Sequence, residues 1–283
     1  MTTFHLTMLA LLQGITEFLP VSSSGHLILF SKFTSFPDQG LEMDVALHIG
    51  SIIAVMIYFW RDIWYMIVGV AKSKLLPDFK IYGCKVFYLV LIATIPALFC
   101  GAALKFMGTE ELRSTKLIGW NILLYGLLLW VIDRMSLTAL KIRNLEVKDA
   151  VLIGLAQCLA LLPGTSRSGI TITMGRFLGL ERREAAKFSM LLSIPTIIAA
   201  GLVEGYEIWQ SGDMMLILRA FDGVLYSFGF SLMAIFVLMQ WLKKWSFFPF
   251  VLYRVALGTA LLLDAYGMNI TVYLGANEGN DPS

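Results

Sequence analysis

The chain is predicted to be an all-α polytopic membrane protein, with about six transmembrane helices and two re-entrant helical hairpins arranged as an inverted-topology repeat. Three observations carry this expectation. Of 283 residues, 58% are hydrophobic and only 15% are charged, at a mean hydropathy of +0.75. Soluble domains carry roughly 25% charged residues. Apolar runs of the length that crosses a bilayer core, about 20 residues, recur along the chain. Two further apolar segments are each interrupted by a short stretch rich in serine, glycine and proline. Irregular backbone at membrane depth survives only around a protein-lined or watery cavity, and paired broken segments mark the midplane site of inverted-repeat membrane proteins. A net charge of +2 with no basic patch offers nothing to nucleic acid. The cysteines Cys84, Cys100 and Cys158 have no metal spacing and form no disulfide framework, so they read as packing residues.

In chain order, Phe4–Phe33 reads as helix, tight turn, helix, with Pro20 ending the first arm because proline lacks the N–H and clashes with the preceding turn. An arm of about 15 residues covers about half to two-thirds of a bilayer, so this is a re-entrant hairpin rather than a crossing. Full crossings follow at Leu41–Trp60, Cys84–Phe106 and Lys116–Ile132. The segment Ala150–Leu180 repeats the hairpin pattern around Pro163, and Glu184–Glu204, Leu218–Leu242 and Phe248–Tyr266 complete the crossings. One membrane domain, 1–283, thus holds a first repeat of about 1–134 with hairpin 4–33, and a second of about 149–266 with hairpin 150–180. Span-end aromatics such as Trp60, Trp64, Trp130, Trp241 and Trp245 are expected to anchor the interfaces. No cleavable signal is expected, since no basic stretch precedes the first apolar run, and the tail after Tyr266 is expected to fray.

Charge tests the count of spans. With six crossings and two hairpins, one side collects fourteen basic residues, among them Arg61, Lys85, Arg134, Arg143, Arg182, Arg183, Lys187, Lys243 and Lys244. The other side collects five, Lys32, Lys105, Arg113, Lys116 and Arg219, mixed with Glu110, Glu111, Glu207 and Asp213. The positive-inside rule makes the first side cytoplasmic, with both termini outside and the hairpins entering from opposite faces. Direct identity between the halves is weak: Leu-Pro-x-x-Ser-x-Ser-Gly matches only with a one-residue gap.

The two breaks supply the residues for chemistry. Gln13 and Glu17 lie four apart, on one helix face. An intramembrane carboxylate is a functional candidate by default, whereas Gln13 is equally readable as polar glue between helices. Ser22, Ser23 and Ser24 lead the second arm, where serine caps helices well, and Gly25 permits close backbone approach. His26, one turn in, can give or take a proton near neutrality or play a structural part. In the second break, Arg167 offers a planar fork suited to phosphate, flanked by Gly164, Thr165, Ser166, Ser168 and Gly169 in the manner of an anion nest, with Thr171 one turn on. Arg167 could instead form an ion pair with Glu17, which also requires the hairpins to meet. Asp44 and His48 form a second i, i+4 pair that either orients the site or sits at the interface. Arg254 is expected to pair with Asp222 or Asp264, or to reach the cytoplasmic face. GxSxG, HExxH and P-loop patterns are absent, so phosphoryl chemistry fits better than acyl transfer or nucleotide hydrolysis.

At these residues the chain resembles the undecaprenyl pyrophosphate phosphatase family, membrane enzymes also linked to bacitracin resistance. Gln13 to His26 match the signature Glu/Gln-x-x-x-Glu with Phe-Leu-Pro-[Val/Ile]-Ser-Ser-[Ser/Thr]-Gly-His, and Pro163 to Thr171 match Pro-Gly-x-Ser-Arg-Ser-Gly-x-Thr. Asp44–Ser51, Glu184–Pro195 and Phe247–Arg254 extend the likeness over nearly the whole chain. The resemblance implies hydrolysis of undecaprenyl pyrophosphate to undecaprenyl phosphate, which recycles the lipid carrier of cell-wall synthesis. It implies a divalent cation, Mg2+ or Ca2+, with Glu17 as its carboxylate because Gln13 stands where many relatives have glutamate. It implies a bacterial plasma membrane, a site open to the outer face, and an isoprenoid pyrophosphate among membrane lipids as substrate; a second copy of the chain is a candidate partner. On this reading Glu17, Ser23, His26 and Arg167 are catalytic, and Gln13, Ser22, Ser24, Gly164, Ser166, Ser168 and Thr171 bind substrate. A transporter or lipid flippase is the rival, since inverted repeats with broken helices are transporter architecture.

Overall fold

The computed structural model describes residues 2–34, 40–107, 114–137, 140–211 and 214–267. The expectations for Glu110, Glu111, Arg113, Asp213 and the tail beyond Gly267 lie outside the described residues, as do those for the side chains of Glu204 and Glu207.

Eleven α-helices and two short 3-10 turns make up the described chain. The first hairpin is α1 (Thr3–Thr16) and α2 (Ser23–Phe33), and the second is α7 (Val147–Cys158) and α8 (Arg167–Phe177). At 1.5 Å per residue these arms are roughly 17–21 Å long, short of a bilayer core of about 30 Å. The prolines do not end the first arms, as the sequence suggested. The first arm stops at Thr16 with Glu17 as its cap, and the second at Cys158, followed by the 3-10 turn Leu159–Leu161. Pro20 and Pro163 sit inside the turns, where a fixed φ and no N–H suit irregular backbone.

The expected crossings correspond to α3 (Leu41–Tyr58), α5 (Tyr82–Met107), α6 (Thr115–Met135), α9 (Arg182–Ser211), α10 (Met214–Trp241) and α11 (Phe248–Ala265). Among the described residues four of these, α5, α6, α10 and α11, are long and apolar enough to cross a membrane alone. A fifth candidate joins α3 to α4 (Trp60–Lys72), a helix the sequence reading missed, bent from α3 by 77°. Its pattern explains it: Trp60, Trp64, Tyr65 and Ile67 are exposed while Met66, Gly69 and Val70 are buried, the two-faced profile of an interfacial helix. By contrast α9 opens on Arg182, Arg183, Glu184 and Lys187 and is not among the candidates.

Packing follows the two halves. The hairpin arm α1 lies against α10, as α7 lies against α5; α3 packs on α9, and α6 on α11. The main core joins Phe18, Leu89, Phe188, Leu191, Ile235 and Phe247, all nearly sealed from solvent. Several of the basic residues assigned to one side make polar contacts with the chain around them. Lys187 pairs with Asp62, and Arg176 and Arg182 both reach Asp133 at 2.8 and 2.9 Å. Lys85 Nζ donates to the Arg143 carbonyl at 2.8 Å, and Leu140 forms an isolated parallel bridge with Leu180. Lys116, assigned to the other side, stands over the Tyr266 ring.

Candidate active site

Both hairpin breaks turn on the same device. Ser22 and Ser166 hold positive φ, 78° and 75°, a region that costs a non-glycine residue about 1 kcal/mol or more and persists only where the surroundings impose it. Each is an N-cap: Ser22 Oγ accepts from Gly25 N at 3.3 Å, and Ser166 Oγ from Gly169 N at 3.0 Å. Each hydroxyl also meets the serine two residues on, Ser24 at 3.5 Å and Ser168 at 3.2 Å. The gapped match noted in the sequence is therefore structural, and it sets Ser23 and Arg167 at equivalent positions, the first residues of α2 and α8. The N-terminal N–H groups of a helix lack intrahelical partners and carry the positive end of its dipole, so two such ends favour an anion.

Both first residues bond to Glu17. Ser23 Oγ donates to Glu17 Oε2 at 2.7 Å, and Arg167 Nη2 donates to Glu17 Oε1 at 2.8 Å. Gln13 Nε2 donates to Oε2 at 2.9 Å, and His48 Nε2 stands 3.4 Å from the same oxygen. Glu17 is buried, while Ser23, Arg167 and His48 are partly exposed and Ser24 is exposed, so the cluster has an open edge. Arg167 Nη1 donates to the Ser189 carbonyl at 3.0 Å, which aims the guanidinium from behind. These are the two contacts Arg167 makes among the described residues, and a guanidinium has five N–H donors, so several remain for phosphate oxygens. The ion-pair alternative for Arg167 is thus realised, in a geometry that also leaves it able to bind an anion.

Behind the cluster, Arg254 holds the breaks together. It is 1% exposed and pairs with neither Asp222 nor Asp264, against the expectation, nor does it reach an end of the bundle. Its Nη1 donates to the Pro20 carbonyl at 3.2 Å, and Nη2 to the carbonyls of Gly164 at 3.0 Å and Thr165 at 3.1 Å. Nε and Nη2 also reach Ile122 and Asn121 carbonyls on α6 at 2.9 and 3.1 Å. The turn carbonyls have left helical pairing and need donors at this depth. Asn121 Nδ2 donates to the Pro163 carbonyl at 2.8 Å, and Ser168 Oγ crosses to the Leu19 carbonyl at 3.0 Å. Gly164 has φ +90° and a Cβ there would lie 2.6 Å from the Ile118 carbonyl oxygen, so only glycine fits.

His26 makes no hydrogen bond to the Glu17 cluster among the described residues. Its Nδ1 lies 2.6 Å from the Ser22 carbonyl, so Nδ1 carries a proton and, in the neutral ring, Nε2 accepts from the Tyr253 hydroxyl at 2.6 Å. Both residues line a 310 Å3 cavity with Leu11, Ile15, Leu19 and Phe250, and those four also line an apolar cavity of 420 Å3 that continues along α10 to Trp241.

For a cation, the donor set is small. Among the described residues no three His, Cys, Asp or Glu side chains gather to hold a metal. Gln13 Oε1, however, is buried without a hydrogen-bond partner beside Glu17, and an orphaned amide oxygen next to a carboxylate suits a hard cation that takes its other ligands from substrate and water.

Of the expected site residues, Glu17, Ser23, Arg167 and Gln13 come together. Ser22, Gly164, Ser166, Ser168 and Thr171 lie buried behind them; Thr171 Oγ1 bonds the Arg167 carbonyl at 2.8 Å and Ser189 Oγ at 2.7 Å. Sequence reasoning left His48 either to orient the site or to sit at the interface, and its 3.4 Å approach to Glu17 realises the first; Tyr253, Asn121 and Ser189 were not singled out. His48 carried a signal, since it sits in a polar i, i+4 pair with Asp44, whose carbonyl lies 2.7 Å from its Nδ1.

Residues 6–260 match the family model described as bacitracin resistance protein BacA. An undecaprenyl-diphosphatase of Roseobacter denitrificans is 47% identical over 273 residues, covering 94% of this chain and all of that protein. One from Ruegeria pomeroyi is 46% identical with the same coverage. Undecaprenyl-diphosphatase 1 of Rhodospirillum rubrum is 43% identical, over 94% of this chain and 96% of that protein.

Proposed function

The chain belongs to the bacitracin resistance protein BacA family, and from that premise we propose that it hydrolyses undecaprenyl pyrophosphate to undecaprenyl phosphate and inorganic phosphate in a bacterial plasma membrane. The observation that carries the reading is the position of Glu17, bonded at once to a serine from one hairpin and an arginine from the other, at 2.7 and 2.8 Å. Nucleophile and base within hydrogen-bond reach, with the base oriented by further groups, is the signature of an activated hydroxyl.

In the proposed course Arg167 and the N-termini of α2 and α8 hold the terminal phosphate, meeting its charge. Ser23 Oγ forms a bond to the terminal phosphorus as its proton passes to Glu17. The bond from that phosphorus to the bridging oxygen breaks, and undecaprenyl phosphate leaves with the bridging oxygen. Water then attacks the phosphoserine and gives its proton to His26, which lies three residues from Ser23 on the same helix surface. The Ser23 Oγ–phosphorus bond breaks, Glu17 returns its proton to Ser23, and inorganic phosphate departs. A divalent cation bound by Glu17 and Gln13 Oε1 would offset pyrophosphate charge.

The apolar cavities support a lipid substrate and a direction for it. They lead from His26 toward Trp241, beside Lys243 and Lys244, which the charge count assigns to the cytoplasmic side. A tail laid along them points to the cytoplasmic side, with its pyrophosphate toward the outer side. A flippase would share the broken helices but release no phosphate. The test is phosphate release by the purified protein given undecaprenyl pyrophosphate: steady turnover is expected, and none from a folded sample would favour the flippase.

A further inference from the structure

We infer that Tyr253 is a positioning residue that ties the reactivity of His26 to the presence of an isoprenoid tail, so that the site discriminates against pyrophosphates without one. The inference rests on the phosphatase reading above and on the part it gives His26. In the structure both ring nitrogens of His26 are engaged, so neither is free to take a proton from water. Its Nδ1 is committed to the Ser22 carbonyl, and the lone pair on Nε2 is taken by the Tyr253 hydroxyl at 2.6 Å. The two rings lie stacked, 14° from parallel with centroids 5.6 Å apart, so the pair is well aligned.

Tyr253 is 46% exposed, and the space it borders is the apolar cavity of Leu11, Ile15, Leu19 and Phe250. Its hydroxyl and His26 together form the polar end of a track that is otherwise hydrocarbon. A prenyl chain entering that track competes with the Tyr253 ring for the cavity while its pyrophosphate reaches Glu17 and Arg167. When the ring shifts, the hydroxyl leaves Nε2, and the lone pair is free for the attacking water. A tail-less diphosphate can reach the charged groups without displacing Tyr253, and His26 then stays blocked. Binding energy from the remote, unreactive tail is in this way spent on the chemical step rather than on affinity alone.

The test compares kcat and KM for farnesyl pyrophosphate and methyl diphosphate in wild type and Tyr253→Phe, a change that removes one oxygen and keeps the ring. The wild type is expected to turn over the prenyl substrate faster in kcat as well as in KM. Tyr253→Phe should raise kcat for methyl diphosphate by about tenfold, the worth of one neutral hydrogen bond, while kcat for the prenyl substrate changes far less. Ile15→Trp, which fills the track, should lower kcat/KM for the prenyl substrate more than for methyl diphosphate. An unchanged ratio of the two kcat values in Tyr253→Phe, with the prenyl substrate still hydrolysed, overturns this inference alone. Failure of folded wild type to hydrolyse farnesyl pyrophosphate overturns the parent reading and this inference with it.

Discussion

Glu17 is the residue on which both halves of the site depend, because each of its oxygens is held by a different hairpin. Glu17→Gln keeps the shape but exchanges an acceptor for a donor opposite Ser23 or Arg167. Phosphate release should fall on the order of a hundredfold or more, as when one charge-stabilising group is removed. Ser23→Ala should be at least as damaging, whereas Ser24→Ala should retain most activity; Ser24 is exposed and, among the described residues, its hydroxyl meets Ser22 at a long 3.5 Å. Steady-state assays on the three variants check this ranking, and equal losses at Ser23 and Ser24 would remove the nucleophile assignment. Glu17 and Arg167 were legible in the sequence because charge at membrane depth is costly and needs a reason. Arg254 was equally conspicuous but misread, since its partners are backbone carbonyls, which leave no trace in residue identity. Tyr253 was hidden by distance: 227 positions separate it from His26.

At the scale of the element, the site is made by two half-helices that begin in the same way. Ser22 and Ser166 carry two burdens, a cap and a positive φ, and the substitutions that separate them differ in sign of relief. Alanine loses the cap, worth about 1 kcal/mol, and keeps the conformational strain. Glycine costs only a few tenths as a cap and tolerates φ near 75°, so Ser166→Gly should melt close to wild type and Ser166→Ala clearly below it. Thermal unfolding in detergent measures the difference, and an alanine variant as stable as the glycine one contradicts the cap. The hairpins themselves were readable from short apolar arms around small, polar residues. Their helix ends were not, because Pro20 and Pro163 were taken as terminators although the turn begins three or four residues before them. The α4 helix was missed because its apolar face follows directly on a longer apolar run, and only the bend at Phe59 separates the two.

At the scale of the whole molecule, α11 and α6 act as the frame that brings two distant breaks together. Arg254 alone contacts carbonyls of Pro20, Gly164 and Thr165 across 234 positions of sequence. Arg254→Met fills similar volume but orphans these acceptors, at about 1–3 kcal/mol for each that stays buried and unpaired. Its unfolding temperature should drop well below that of Tyr253→Phe, and activity should fall with it as the breaks part. The all-helical, strongly apolar architecture was the most legible feature of this chain, because composition and long apolar runs leave few other folds open. The claim that two breaks form one phosphatase site is tested most directly by phosphate release from undecaprenyl pyrophosphate after changes at Arg167, with folding checked in parallel. Arg167→Ala should lose on the order of a hundredfold or more, and Arg167→Lys should stay severely impaired, since lysine cannot supply a bidentate fork. Near-normal release by a folded Arg167→Ala protein would contradict the account and leave the arginine as no more than the structural partner of Glu17.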